Sequence, residues 1–224
     1  MSPVSEALLV SFKTACLSII ITFFLGLLAA YVVVNLKNKK MKILFDVIFT
    51  LPLVLPPTVI GFFLLYLLGV NRPIGAFFIK YFSYQITFSW FATVIAAVVI
   101  SFPLMYRSAR GALEQIDVTM IQAAKTLGLS SWQIFWKIMF PLALPGIVSG
   151  GILAFARGLG EFGATAMIAG NIAGKTRTLP LAVYSAVAAN QMDEATVYVI
   201  IIVLIAFVAI GLINYFAYKE KRMK

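Results

Sequence analysis

Five stretches of this chain carry no charged residue: 14–36, 47–71, 81–106, 138–156 and 195–218. A helix needs about 20 mostly apolar residues to cross a hydrocarbon core, and each stretch is of that order. The fourth runs into Arg157 and Glu161, yet the apolar pattern resumes beyond them. One helix is therefore expected to continue past both charges to about Ile168. The pattern predicts an all-α integral membrane protein with five transmembrane helices, residues 1–224 forming one membrane unit without a separate soluble domain. At 62% hydrophobic and 12% charged residues the chain lies far from a soluble composition.

The basic residues sort by membrane side. If the five spans alternate, one side holds Lys37, Lys39, Lys40, Lys42, Arg107, Arg110, Lys125, Lys137, Lys219, Lys221, Arg222 and Lys224. The other holds Lys13, Arg72, Lys80, Lys175 and Arg177, and Arg157 stays in the membrane. Cytoplasmic loops are enriched in Lys and Arg, so the N-terminus is expected outside and the C-terminus in the cytoplasm. The formal net charge of +10 follows from topology and asks for no nucleic acid. The first run is expected to be a retained helix: MSPVSEALLV lacks a basic leader, and the run is long for a signal peptide.

Several chemistries drop out. The chain has no histidine, hence neither the usual general base nor the commonest metal ligand. Cys16 is the single cysteine, so no internal disulfide forms. No Gly-x4-Gly-Lys-Ser/Thr loop is present to cradle a nucleotide phosphate. No catalytic residue and no metal site are expected.

Three prolines, Pro52, Pro56 and Pro57, crowd the start of the second run and remove three backbone donors. Two readings stand here: a plain kinked helix start, or a bend lining a pathway, since irregular backbone at membrane depth needs protein or a wet cavity beside it. Segments 70–88 and 170–194 are expected on the outer side, the second with a short apolar piece after Pro180.

The polar interruption at 107–141 is longer than a connection requires. Asp117 can cap a helix from Val118, and Gly128 can end it in a left-handed turn. Met120, Ala123, Ala124 and Leu127 share one face at helical spacing, left shallow by the paired alanines. Ser130 and Gln133 form a capping box for a second helix. On that helix Trp132, Phe135, Trp136 and Met139 make an apolar stripe suited to the membrane interface, before Pro141 and Pro145 open the next span. The loop thus predicts two short helices at an angle around Gly128. An interfacial hairpin without a partner and a docking surface both fit that pattern.

The spacing resembles the cytoplasmic loop of binding-protein-dependent ABC importers: Glu-Ala-Ala, three residues, Gly, nine residues, Ile, one residue, Leu-Pro. Gln122-Ala123-Ala124, Gly128, Ile138 and Phe140-Pro141 follow that register. Gln122 replaces the glutamate and Phe140 the leucine, so an ion pair made by the family's glutamate does not carry over. LPLVLPPTVIGFFLL, SFPLMYRSARGALEQID, LALPGIVSGGILAFARGLGEFGAT and NIAGKTRTLPLAVYS extend the likeness to molybdate/tungstate permease subunits over roughly residues 8–190. The resemblance implies a type I importer fold and a homodimer in the cytoplasmic membrane of a prokaryote. It implies two copies of an ATPase inside, which bind the ATP and magnesium, and an oxyanion-binding protein outside. It makes Gln122, Ala123, Ala124, Gly128, Ile138 and Pro141 the ATPase-coupling residues. Sulfate and thiosulfate permeases are close relatives, so oxyanion class is implied more firmly than identity. An ATP-independent secondary transporter is the alternative from another class, but inverted repeats are not evident in the chain.

Arg157 and Glu161 are four apart, one helical turn, and are expected on one face of the fourth helix. Gly146, Gly150, Ala154 and Gly158 repeat every fourth residue, which permits close helix approach. The charge pair fits either packing between helices or the pathway of a dianion held loosely enough to leave. Lys175 and Arg177 fit either a solvated outer loop or long-range attraction of an anion.

Overall fold

The computed structural model describes residues 2–222. Its helices are α1 (Pro3–Asn35), α2 (Lys39–Val54), α3 (Pro57–Leu68), α4 (Pro73–Phe82), α5 (Trp90–Glu114) and α6 (Val118–Thr126). They continue with α7 (Ser131–Ile134), a π-helical turn (Phe135–Met139), α8 (Phe140–Leu159), α9 (Gly163–Ala169), α10 (Leu179–Ala188) and α11 (Met192–Arg222). Among the described residues, four continuous helical segments are long and apolar enough to cross a membrane: Pro3–Asn35, Trp90–Glu114, Ser131–Leu159 and Met192–Tyr215. Lys39–Val54 and Pro57–Leu68 meet the same criterion only as a pair, bent by 111°, which counts as a fifth span when the two are taken as one. Lys224 of the predicted basic C-terminus lies outside the described residues, as do the side chains of Lys219, Lys221 and Arg222.

The bundle is organised by small and polar residues on α1 and α5. Thr14 meets Thr93 at 2.9 Å and Thr22 meets Ser101 at 3.1 Å, hydroxyl to hydroxyl. The same sequence offset in both pairs means that the helices run parallel in one register. Gly26 lies against Met105 in that register, where an added Cβ would stand 2.7 Å from the Met105 Cγ. With no hydrophobic drive between helices in lipid, close backbone approach and interhelical hydroxyl bonds supply the association. Helix α8 runs the other way: Gly146 abuts Ala112, Gly150 abuts Ser108, and Gly158 reaches Ser18, Ala97 and Ser101. The predicted stripe of small residues is therefore the seam of α8 against α5.

The break in the second run sits at Leu55-Pro56-Pro57. Leu55 (ψ 142°) and Pro56 (ψ 136°) are both extended, as residues before proline prefer. Pro52 stays inside α2. Below the break, Phe49 packs on Phe102 and Tyr106 of α5. Above it, Ile60 joins Ala92, Ala96 and Ile100 of α5 and Ala164 and Ile168 of α9. The bent pair thus climbs the length of α5.

The third span begins at Trp90, just past segment 70–88: α4 ends at Phe82 with Ser83 left-handed (φ 50°), and Ser89 caps the new helix at Ala92 N–H. Two later boundaries differ from expectation. The third span continues through Arg107 and Arg110 to Glu114, so the polar loop proper starts eight residues late, at Gln115. The fourth span stops at Leu159 instead of reaching Ile168: Gly160 ends α8, and α9 is a separate helix.

Candidate coupling loop and membrane ion pair

Helix α6 is framed by local chemistry at both ends. The Asp117 carboxylate accepts from the Thr119 N–H at 2.8 Å, and this bond, the largest cause, holds its pKa below the ordinary value. At the other end Leu129 N–H donates to the Ala124 carbonyl (3.1 Å) and Gly128 N–H to that of Lys125 (3.0 Å). This is the paired pattern of a Schellman end, which needs a left-handed residue after the helix. Gly128 supplies it at φ 79°. Ser130 and Gln133 then close a capping box on α7, each bonding the other's backbone N–H.

The predicted face of Met120, Ala123, Ala124 and Leu127 divides. Ala124 is buried beneath α6 with Ile134 and Phe135 nearby in one cluster, while Gln122 and Ala123 are exposed. Met120 is also exposed, and Leu127 is 81% exposed. A nine-residue helix with an apolar outer edge therefore stands off the bundle, held by Ala124, Ile121 and Leu129. A cleft of about 550 Å³ lies at its root, lined by Arg107, Ser108, Gln115, Asp117 and Met120 among others.

The second loop helix is not short. It passes through the π turn into α8 as one continuous segment, Ser131–Leu159. Pro141 lies in the first turn of α8, where its ring would strike the carbonyl four residues back in a plain α-helix. The widened turn just before it, with Phe140 N–H bonded to the Phe135 carbonyl, accommodates that ring. The aromatic stripe also divides, because the wider turn rotates its members apart. Phe135 and Met139 enter the core, while Trp132 and Trp136 face outward. Ile138 is partly buried against the same core and Pro141 is exposed.

Arg157 and Glu161 do pair, with Nη1 to Oε2 at 2.8 Å, but not on one helix. Arg157 is in the last turn of α8, and Glu161 lies past its end. The other carboxylate oxygen of Glu161 accepts from Ala164 N–H at 2.8 Å, in the first turn of α9. Its side chain is 1% exposed, against 33% for Arg157. A carboxylate at a helix N-terminus completes donors that would otherwise be orphaned. This break touches the proline break: Cβ atoms added at Gly163 and Gly61 would lie 3.0 Å from Pro57 Cβ and 2.7 Å from Ala164 Cα.

A second charged cluster was not foreseen from sequence. Asp46 of α2 accepts from Arg110 Nη1 and, at 3.1 Å, from the buried Tyr106 hydroxyl. Glu114 bonds Arg110 at 3.0 Å and Lys42 at 2.9 Å. These groups clamp α2 to the end of α5, three residues before Asp117 caps α6. The signal available in sequence was Asp46 itself, the acid standing just before an apolar run.

Residues 22–223 match the family model of the binding-protein-dependent transport system inner membrane component. The chain belongs to this family. It is 45% identical to the molybdenum transport system permease protein ModB of Escherichia coli (strain K12) over 183 residues, 82% of this chain and 80% of that protein. The corresponding protein of Haemophilus influenzae (strain ATCC 51907 / DSM 11121 / KW20 / Rd) is 42% identical over 85% of this chain and 83% of its own length. That of Mycobacterium tuberculosis (strain ATCC 25618 / H37Rv) is 38% identical, over 92% and 77%. Among solved structures, the inward-facing MetNI methionine ABC transporter matches with TM-score 0.64 and 20% identity, over 95% and 94% of the two chains. A bacterial ABC transporter that imports the acidic polysaccharide alginate matches with TM-score 0.72 and 15% identity, over 100% and 81%. At these identities the likeness is one of fold, that of the type I importer permeases.

In this multi-pass inner-membrane permease the side chains of Lys175 and Arg177 have different neighbours. Arg177 donates from Nε to Asn171 at 2.9 Å. Lys175 is exposed and lines a groove with Lys13 at the N-terminal end of α1. The turn at Ile172–Arg177 separates them: the Ile172 carbonyl collects the N–H groups of Lys175, Thr176 and Arg177.

Proposed function

We propose that this permease moves molybdate or tungstate into the cell, driven by ATP hydrolysed on a separate subunit. The identity of 38–45% to molybdenum transport permeases over most of the chain carries the reading. In this reading α6 docks in the ATPase through Gln122, Ala123 and its apolar outer edge, and Gly128 is the pivot. Ala124, Ile138 and Pro141 act from the bundle side, transmitting movement into α8. What supports this is an exposed, doubly capped helix that joins the bundle at both ends. ATP and magnesium belong to the partner, of which two copies serve a homodimer of this chain. Five spans are few to enclose a path, and a two-fold axis places one between protomers. An oxyanion-binding protein delivers substrate from outside, with the N-terminus on that side and the C-terminus in the cytoplasm. Arg157, part exposed beside the two helix breaks, attracts the dianion, and Glu161 keeps that attraction weak.

Reconstituted with its ATPase and binding protein, the permease is expected to take up radiolabelled molybdate only with ATP. Unlabelled tungstate competes and sulfate does not. Sulfate competing equally would move the assignment to another oxyanion, and uptake on an ion gradient without ATP would contradict it.

A further inference from the structure

The outer end of α1 has two different flanks. One is packed, with Ser11 accepting the Leu179 N–H at 2.7 Å. The other borders a groove of about 710 Å³ lined by Phe12, Lys13, Leu17, Ile20, Trp90 and Lys175 among others. Both lysines are exposed, and neither is in a salt bridge among the described residues. The Glu6 carboxylate approaches Gly174 of the groove, where an added Cβ would stand 3.3 Å from its Oε2.

Depth decides what such a groove suits. Helix α1 has 33 residues, or about 50 Å at 1.5 Å per residue, against a hydrocarbon core of about 30 Å. Its uncharged run 14–36 fills the core, so Lys13 stands at the first position outside it. That is the level of lipid headgroups, which a lysine stem reaches by extending along apolar surface. Trp90 marks the same level, its indole N–H bonded to Thr14 at 3.0 Å, as aromatic residues at membrane interfaces do. Toward the membrane the groove continues along Leu17 and Ile20. A free oxyanion needs donors around it, whereas two ammonium groups above apolar walls match an amphiphile.

We propose that this groove holds an anionic phospholipid of the leaflet farther from α6. Lys13 and Lys175 bind its phosphate, and an acyl chain lies along Leu17 and Ile20. The lipid would tie the loop before α10 to α1, independently of which oxyanion is transported.

The test exchanges the purified transporter complex into nanodiscs of phosphatidylglycerol and phosphatidylcholine. Lipid retained through a phosphatidylcholine wash is counted by native mass spectrometry. Wild type is expected to retain phosphatidylglycerol, and Lys13→Gln with Lys175→Gln to lose about fivefold per lysine removed, the ratio one cation near the surface is worth. Lys80→Gln, another outer lysine, should change nothing, and the double Lys→Arg variant should retain the lipid. Lys175→Gln alone, in an exposed loop, gives the same decision if the double variant fails to fold. Unchanged retention in the glutamine variants overturns the proposal. So does displacement of the lipid by molybdate in the wash, which would mark the groove as an oxyanion site.

Discussion

The two charged clusters of this permease lie at different depths, and the ties they make differ accordingly. At the α6 end, Asp46, Arg110, Glu114 and Lys42 are each partly exposed and link two helices by several interchangeable bonds. In the bundle, one arginine meets one carboxylate that is 1% exposed and also caps α9. Exposed ion pairs contribute about 0–1 kcal/mol each, while breaking a buried pair costs about 3–5 kcal/mol. If the loop moves with a partner ATPase, as proposed above, it can exchange the first set of ties at little cost. The second stays whole and fixes where the α8 and proline breaks meet.

The sharpest way to break this comparison is Glu161→Ala. It leaves Arg157 without its carboxylate and α9 without its cap; because Arg157 is a third exposed and can be hydrated, the loss expected is about 3 kcal/mol, the lower end for a buried pair. Thermal unfolding in detergent should show it, with Glu161→Gln milder because its carbonyl can still accept from Ala164 N–H. A wild-type melting curve for Glu161→Ala would put the two clusters on one footing. Next is Gly61→Val, which presses a branched side chain toward Ala164 and Met167 where even a Cβ would stand at 2.7 Å. Overpacking of this kind costs about 1–3 kcal/mol. The same melt, with crosslinking yield between cysteines placed on α3 and α9, should register a shift.

Gly128→Val has open space around its new side chain, so the whole effect is backbone strain at φ 79°, about 1–2 kcal/mol. Gly128→Asn, which tolerates that conformation, should lie close to wild type. Asp46→Asn keeps a partner for Arg110 and should move the melting curve by less than Glu161→Ala, Gly61→Val or Gly128→Val, within about 1 kcal/mol. Its mark would be on transport per ATP hydrolysed. An Asp46→Arg, Arg110→Asp exchange should recover part of that ratio if the clamp is electrostatic. The smallest effect belongs to Asp117. Its native pKa is depressed, so its capping contribution is fully present above the ordinary Asp range of about 4. That contribution is lost as pH falls through the native value. Limited proteolysis of the loop should be flat from neutral pH to about 5 and increase only in stronger acid.

How well each region could be read from sequence follows from the same contrast. Both ends of α6 and the start of α7 were legible because Asp117, Gly128, Ser130 and Gln133 act on backbone within a few residues. The α8 seam was legible because its small residues recur every fourth position on one helix. The shared α1–α5 register was not, since Thr14 and Thr93 become a pair only when the two helices meet. Nor was the end of α8 at Leu159: four-residue spacing of Arg157 and Glu161 fits one helix turn as well as a break that the carboxylate recaps. The reach of α5 to Glu114 escaped because Arg110 reads as a loop charge until Asp46 is placed beside it. The division of the loop's aromatic stripe depended on a π turn that Pro141 alone did not announce.

In the proposed mechanism α6, pivoting at Gly128, transmits ATP hydrolysis on a partner to oxyanion movement through this chain. ATP hydrolysis and radiolabelled molybdate uptake, measured together in the same proteoliposomes, test it most directly for wild type and Gly128→Val. Wild-type uptake is expected to require ATP. The variant is expected to hydrolyse ATP with little uptake, or not to assemble with the ATPase. A variant that assembles and transports at the wild-type ratio, or wild-type uptake that proceeds without ATP, would contradict it.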